Sequence, residues 1–137
     1  MSSSSVDSPD RPLVLLVEDD DAVRRSLQLL LSGHGYDVRA YASGAGLEHD
    51  PEALRAECLV ADLVIPDGNA VTLITALREA GWKGPAILIS GHLTNEWAER
   101  ALAQGYSAAF AKPIGETVLT KCLARLLLSA AGGRPAR

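Results

Sequence analysis

Three carboxylates, Glu18, Asp19 and Asp20, follow directly on the apolar run LVLLV. Another, Asp62, follows CLVA; the hydroxyl of Ser90 follows AILI; the ammonium of Lys112 follows SAAFA, with Pro113 next. Each short apolar run therefore breaks off at a polar side chain. If those ends converge, the chemistry is narrow. Carboxylates held together resist ionisation unless a cation neutralises them. A hard divalent ion that takes oxygen ligands, such as Mg²⁺, would do so. One carboxylate could then act as a nucleophile and form an acyl phosphate. A lysine would neutralise one phosphoryl oxygen and a serine hydroxyl would hydrogen-bond another. The competing reading is a salt-bridged rim without chemistry.

Convergence requires a particular set of elements, and the patterning supplies them. LVLLV (13–17), CLVADLV (58–64) and PAILIS (85–90) are short continuous apolar runs, as expected of strands buried on both faces. YDVRAYA (36–42) alternates like a strand, and YSAAFA (106–111) reads as a last short one. Between them lie helical patterns. DAVRRSLQLLLSGHG (21–35) places Val23, Leu27, Leu30 and Leu31 on one face, with Asp20 or Asp21 to cap its start and Gly33 or Gly35 its end. SGAGLEHDPEALRAE (43–57) is a weak helix broken around Pro51. DGNAVTLITALREAG (67–81) is a loop leading into a helix. TNEWAERALAQG (94–105) starts with Thr94 or Asn95 as cap. GETVLTKCLARLLLSA (115–130) closes the chain with Val118, Leu119, Cys122, Leu123 and Leu126 inward. A βα unit repeated five times implies a parallel sheet with helices on both faces. Right-handed crossovers put the strand C-termini on one edge, where such sheets bind ligands.

The tripeptide Ser-Gly-His occurs twice, and this frame separates the copies. Ser32, Gly33 and His34 end a helical pattern and read as a stop signal. Ser90, Gly91 and His92 follow a buried strand, so Ser90 belongs to the rim. His92 reads either as a solvated loop residue or as a group near the rim chemistry.

The totals exclude other classes. The 137 residues suggest one domain, 47% hydrophobic and 22% charged. Aromatics are 4%, so the core is aliphatic. Thirteen basic against 17 acidic residues give a net charge of −4, which speaks against nucleic-acid binding. No run has the roughly 18 apolar residues of a membrane span, and the first residues lack a secretory pattern. Cys58 and Cys122 have no metal-ligand spacing and fit two free thiols in the cytoplasm. Residues 1–11 and 130–137 read as flexible tails around a domain at 12–129.

The stretches LLVEDD, DLVIPDG, ILISG and AKP, in this order and each at a strand end, resemble the receiver domain of two-component response regulators over roughly residues 12–128. The resemblance implies an α/β fold with a five-stranded doubly wound parallel sheet, flavodoxin-like in its order 2-1-3-4-5. It implies that Asp62 accepts a phosphoryl group from a sensor histidine kinase or histidine phosphotransfer protein, and that the protein is a phosphoacceptor with slow self-dephosphorylation at most. Asp19 and Asp62 would bind Mg²⁺, Glu18 mainly through water, and the Val64 main-chain carbonyl would complete the set. Ser90 would be the switch hydroxyl, Lys112 would hold the phosphoryl group, and Pro113 would follow a cis bond. A downstream target protein is implied, over Trp97, Ala101, Tyr106 and the closing helix, by a monomer or weak dimer that engages neither nucleic acid nor membrane.

The chain departs from that family's pattern at three places. Ala70 stands where glycine is usual, Ala109 where an aromatic ring is usual, and Ile114 where phenylalanine is common. Strand alternation points Phe110 to the face opposite Ala109. With about eight residues after the last helix, a stand-alone phosphoacceptor is expected. The alternatives are an interaction module of receiver fold that works without phosphorylation, and a haloacid-dehalogenase-like phosphatase. The phosphatase would need an aspartate where Val64 stands.

Overall fold

The structure is a computed structural model that describes residues 11–66 and 68–132. In chain order it contains β1 (Leu13–Val17), α1 (Asp21–Gly33), β2 (Asp37–Tyr41), two single 3₁₀ turns (Leu47–His49 and Ala53–Arg55) and β3 (Cys58–Asp62). A small hairpin of β4 (Val64–Ile65) and β5 (Gly68–Asn69) follows, then α2 (Ala70–Glu79), β6 (Ala86–Ser90), α3 (Asn95–Ala103), β7 (Ala108–Ala111) and α4 (Glu116–Gly132). Five strands form one parallel sheet in the order β2-β1-β3-β6-β7. This is the expected order 2-1-3-4-5, with the hairpin strands outside the main sheet.

Strand periodicity divides the core in two. Leu15, Val17, Leu59, Ala61, Ala86 and Leu88 point to one face, where Leu73, Ile74 and Leu77 of α2 and Ala101 of α3 cover them. Val14, Leu16, Cys58, Val60, Ile87 and Ile89 point to the other, under Leu31 of α1 and Leu119, Cys122 and Leu123 of α4. Every second residue changes sides, as a pleated strand demands. β3 and β6 are buried along their whole length, while β2 and β7 form the partly exposed edges.

The helix ends are chemically specified. Asp20 caps α1, its Oδ1 accepting from the N–H groups of Ala22 and Val23 at 3.0 Å each. The first Ser-Gly-His indeed stops this helix: His34 caps its C-terminus and Gly35 follows at φ 94°. Asn69 caps α2 in a reciprocal arrangement, accepting from the Thr72 N–H at 3.0 Å while Thr72 Oγ1 accepts from the Asn69 N–H at 3.0 Å. Gly68, just before, sits at φ 126°, and a Cβ there would lie 2.5 Å from Thr72 Oγ1. Thr94 caps α3 through the N–H of Trp97.

Four expectations are corrected. The crossover from β2 to β3 is not a helix but two 3₁₀ turns, which bury Leu47 and Ala53. Gly44 and Gly46 make helix costly there and Pro51 lacks an N–H donor, so two short anchored turns suffice. Residue 64 does not extend β3; Leu63 separates them and Val64 pairs with Asn69 instead. Val118 is 49% exposed, whereas Leu119, Cys122 and Leu123 are buried and Leu126 packs beside them. Val118 lies about 100° around the helix from Leu119, at the edge of the inward face. α4 itself runs to Gly132, into the stretch read as a tail. The rest of the expected tails, 1–10 and 133–137, lies outside the described residues.

Candidate functional site

All five strands of the main sheet run parallel, so the residues that follow β1, end β3 and β6 and follow β7 meet at one edge. Strand order reverses between β1 and β3, and the crevice there is the natural ligand position of such sheets. Glu18 and Asp19 enter it from β1, and Asp62 from β3. One carboxylate oxygen from each of Glu18, Asp19 and Asp62 lies within 4.8 Å of the other two. Glu18, Asp62 and Ser90 are buried and Asp19 is exposed. Burying polar groups at the end of an apolar strand is costly unless they are paired. Here they are.

Lys112 reaches across the rim. Its Nζ donates to Glu18 Oε1 at 2.6 Å and to Asp62 Oδ2 at 2.7 Å. The main chain sets its height, because the Lys112 N–H donates to the Ser90 carbonyl at 2.9 Å. The Lys112–Pro113 peptide bond is cis. The second oxygen of each carboxylate is held by backbone. Glu18 Oε2 accepts from the Asp20 N–H at 3.1 Å, and Asp62 Oδ1 from the Val64 N–H at 3.1 Å. Ser90 Oγ accepts from the His92 N–H at 3.1 Å.

Burial pushes the Glu18 carboxyl above its ordinary range, against the hydrogen bonds from Lys112 and Asp20 that favour its charge. Burial alone would push Lys112 down. The hydrogen bonds and charges of Asp62 and Glu18 outweigh it, and the ammonium is held above its usual value. The site is thus a cation already facing an excess of carboxylate. A hard cation fits the donor set, which is oxygen throughout with one oxygen of each carboxylate within 4.8 Å of the other two. Arg24 was not singled out from the sequence: its guanidinium donates to the Glu18 carbonyl at 2.9 Å. Nothing in residue spacing announces a side chain that binds main chain.

The family model for the response regulator receiver domain matches residues 14–124. The chain belongs to this receiver family. The receiver is 31% identical over 104 residues to the response regulator protein TmoT of Ectopseudomonas mendocina, covering 76% of this chain and 47% of that protein. It is 30% identical over 112 residues to the transcriptional regulatory protein FixJ of Rhizobium meliloti, covering 82% of this chain and 55% of FixJ. The chain thus spans about half the length of the curated relatives it matches. Among solved structures, a CheY-like response regulator receiver domain protein from Methanospirillum hungatei superposes with a TM-score of 0.81 at 21% identity, over 90% of this chain and 99% of that one.

Against its family pattern, the receiver's substitutions have structural counterparts. Ala109 faces the α2–α3 side of the sheet and Phe110 the opposite side, as strand alternation predicts. Among the rings on the Ala109 side is Tyr106, buried, with its hydroxyl donating to the Ala70 carbonyl at 2.9 Å. Ala70 is itself buried as the first residue of α2 and donates to the Leu63 carbonyl at 3.0 Å. The expected partner surface is corrected: Ala101 and Tyr106 are core residues that no partner can touch. Trp97 is half-buried, with the Arg100 guanidinium 4.3 Å above its ring. His92 stands exposed on its loop. Among the described residues, no helix is long and apolar enough to cross a membrane.

Proposed function

We propose that this receiver is a phosphoacceptor of a two-component phosphorelay, with Asp62 as the phosphorylated residue. A phosphohistidine on a sensor histidine kinase or histidine phosphotransfer protein is the donor. An Asp62 carboxylate oxygen attacks phosphorus, the P–N bond breaks, and the departing imidazole takes up a proton. The observation that supports this best is the contact of Asp62 Oδ2 with Lys112 Nζ at 2.7 Å, beside Glu18 and Asp19 at the strand-reversal crevice. An ammonium so placed can follow a transferred phosphoryl oxygen. Ser90 would hydrogen-bond another such oxygen. Glu18, Asp19, Asp62 and the Val64 carbonyl would hold Mg²⁺, which when bound neutralises phosphoryl charge.

The phosphorylated form would act by binding a target protein or by passing the group on, in the cytoplasm, as a monomer or weak dimer. The test is incubation with acetyl phosphate and Mg²⁺, followed by measurement of acid-stable, hydroxylamine-labile phosphate. Wild type should incorporate it and Asp62→Asn should not. Equal incorporation by Asp62→Asn would move the acceptor elsewhere.

A further inference from the structure

We propose that Arg24 is a positioning residue of the acidic site, holding the main chain between Glu18 and Asp19 so that the Asp19 carboxylate faces the cation. The proposal rests on the metal-dependent reading above and names what organises it. Of the three clustered carboxylates, two are fixed through their side chains. Glu18 is held by Lys112 and the Asp20 N–H, and Asp62 by Lys112 and the Val64 N–H. The Asp19 side chain is different. It is exposed, and among the described residues no hydrogen bond or ion pair holds its carboxylate. The backbone that carries it therefore sets where its Cα–Cβ bond starts and which positions its rotamers can reach.

That backbone is clamped on both sides of Glu18. The Glu18 N–H donates to the Tyr41 carbonyl at 2.9 Å, and the Glu18 carbonyl accepts from Arg24 Nη1 at 2.9 Å. A peptide unit is planar. Fixing the Glu18 carbonyl therefore fixes the Asp19 N–H and the line from which the Asp19 Cα departs. Arg24 is well suited to hold it. Its other arm, Nη2, donates to Asp21 Oδ1 at 2.6 Å, and its side chain is only 23% exposed. Its own backbone is rooted in the first turn of α1, where its N–H donates to the Asp20 carbonyl at 2.8 Å. The forked guanidinium spans the carbonyl and the brace at once, which an ammonium does less well.

The consequence is a split between metal affinity and everything else. Removing a group that orients a metal ligand typically lowers affinity about 10–100-fold. Arg24→Met keeps much of the apolar stem and deletes the donors. The test is a Mn²⁺ titration followed by the electron paramagnetic resonance of the free ion, well below the melting temperature, on wild type, Arg24→Met and Arg24→Lys. Arg24→Met should bind Mn²⁺ about tenfold more weakly, and Arg24→Lys should recover part of the loss by donating to the same carbonyl. Phosphate incorporation from acetyl phosphate should return to near the wild-type rate at saturating Mg²⁺. A merely structural role would lower the melting temperature without this split. Unchanged Mn²⁺ affinity in folded Arg24→Met overturns the proposal and leaves the metal-dependent reading standing. Failure of wild type to bind Mn²⁺ overturns that reading and the proposal with it. Arg24→Ala serves as a second truncation should Arg24→Met not fold.

Discussion

Val64 stands two residues past Asp62, and its N–H already donates to Asp62 Oδ1. Its side chain is half exposed. His92 stands the same distance past Ser90, exposed on its loop. In the proposed phosphorylated form, loss of the phosphoryl group would need a water in line with the Asp62–phosphorus bond. Valine can neither orient that water nor accept its proton, and its branched bulk shields the approach. A neutral imidazole could do both, and a positioned general base contributes about 10²–10⁴-fold. Only the His92 backbone N–H is tied to Ser90, however, and among the described residues no hydrogen bond or ion pair holds its ring. The valine effect should win, and the phosphorylated form should be comparatively long-lived. Measured with Mg²⁺ present, dephosphorylation should speed up in Val64→Asn and change little in His92→Ala. A large slowing in His92→Ala would reverse the assignment.

At the scale of elements, Tyr106 ties the start of the last βα unit to the start of α2. Its ring occupies the core beside Ala109, and its hydroxyl is the buried donor to the Ala70 carbonyl. Ala70 in turn bonds to Leu63, the residue after Asp62. Tyr106→Phe keeps the ring and deletes the donor, leaving the Ala70 carbonyl buried without it. Such a loss costs about 1–3 kcal/mol. Urea unfolding of Tyr106→Phe should show a lower midpoint with an unchanged slope, because the buried surface is the same. An unchanged midpoint would mean that the carbonyl finds another donor.

For the whole molecule, the acidic rim sets stability against pH. The Glu18 carboxyl is raised above its ordinary 4.5 in the folded state. The neutral form is therefore favoured by folding. The associated stability is present below 4.5 and is lost as pH rises through the folded value. Above that folded value, with EDTA present, ionising the buried Glu18 carboxyl costs stability that burial does not return. Glu18→Gln should then melt higher than wild type, and the advantage should vanish as pH falls toward 4.5. On the proposed metal site, added Mg²⁺ would bind the folded state and should raise the wild-type melting temperature more than that of Glu18→Gln. Glu18→Gln melting below wild type in EDTA would show that the ion pair with Lys112 outweighs burial.

Much of this was written locally. The apolar runs of β1, β3 and β6, their polar terminal residues and the caps Asp20 and Thr94 follow from periodicity and from hydrogen bonds between near neighbours. A parallel arrangement then follows from the alternation of strand and helix, which is why Glu18, Asp19, Asp62, Ser90 and Lys112 could be assigned to one rim before any coordinates. Other features depend on residues far apart in sequence. Tyr106 reads as surface until Ala70, 36 positions away, is placed over its hydroxyl. The 43–57 segment reads as a weak helix until the core claims Leu47 and Ala53 and leaves only turns between them. Lys112 meets Glu18 and Asp62 across 94 and 50 positions, and no local pattern specifies those distances. Periodicity and capping act over one or two turns of chain, so sequence alone determines the main strands and helices and their order. Burial and long-range hydrogen bonds exist only once the sheet closes, and tertiary structure alone decides which side chain completes each site.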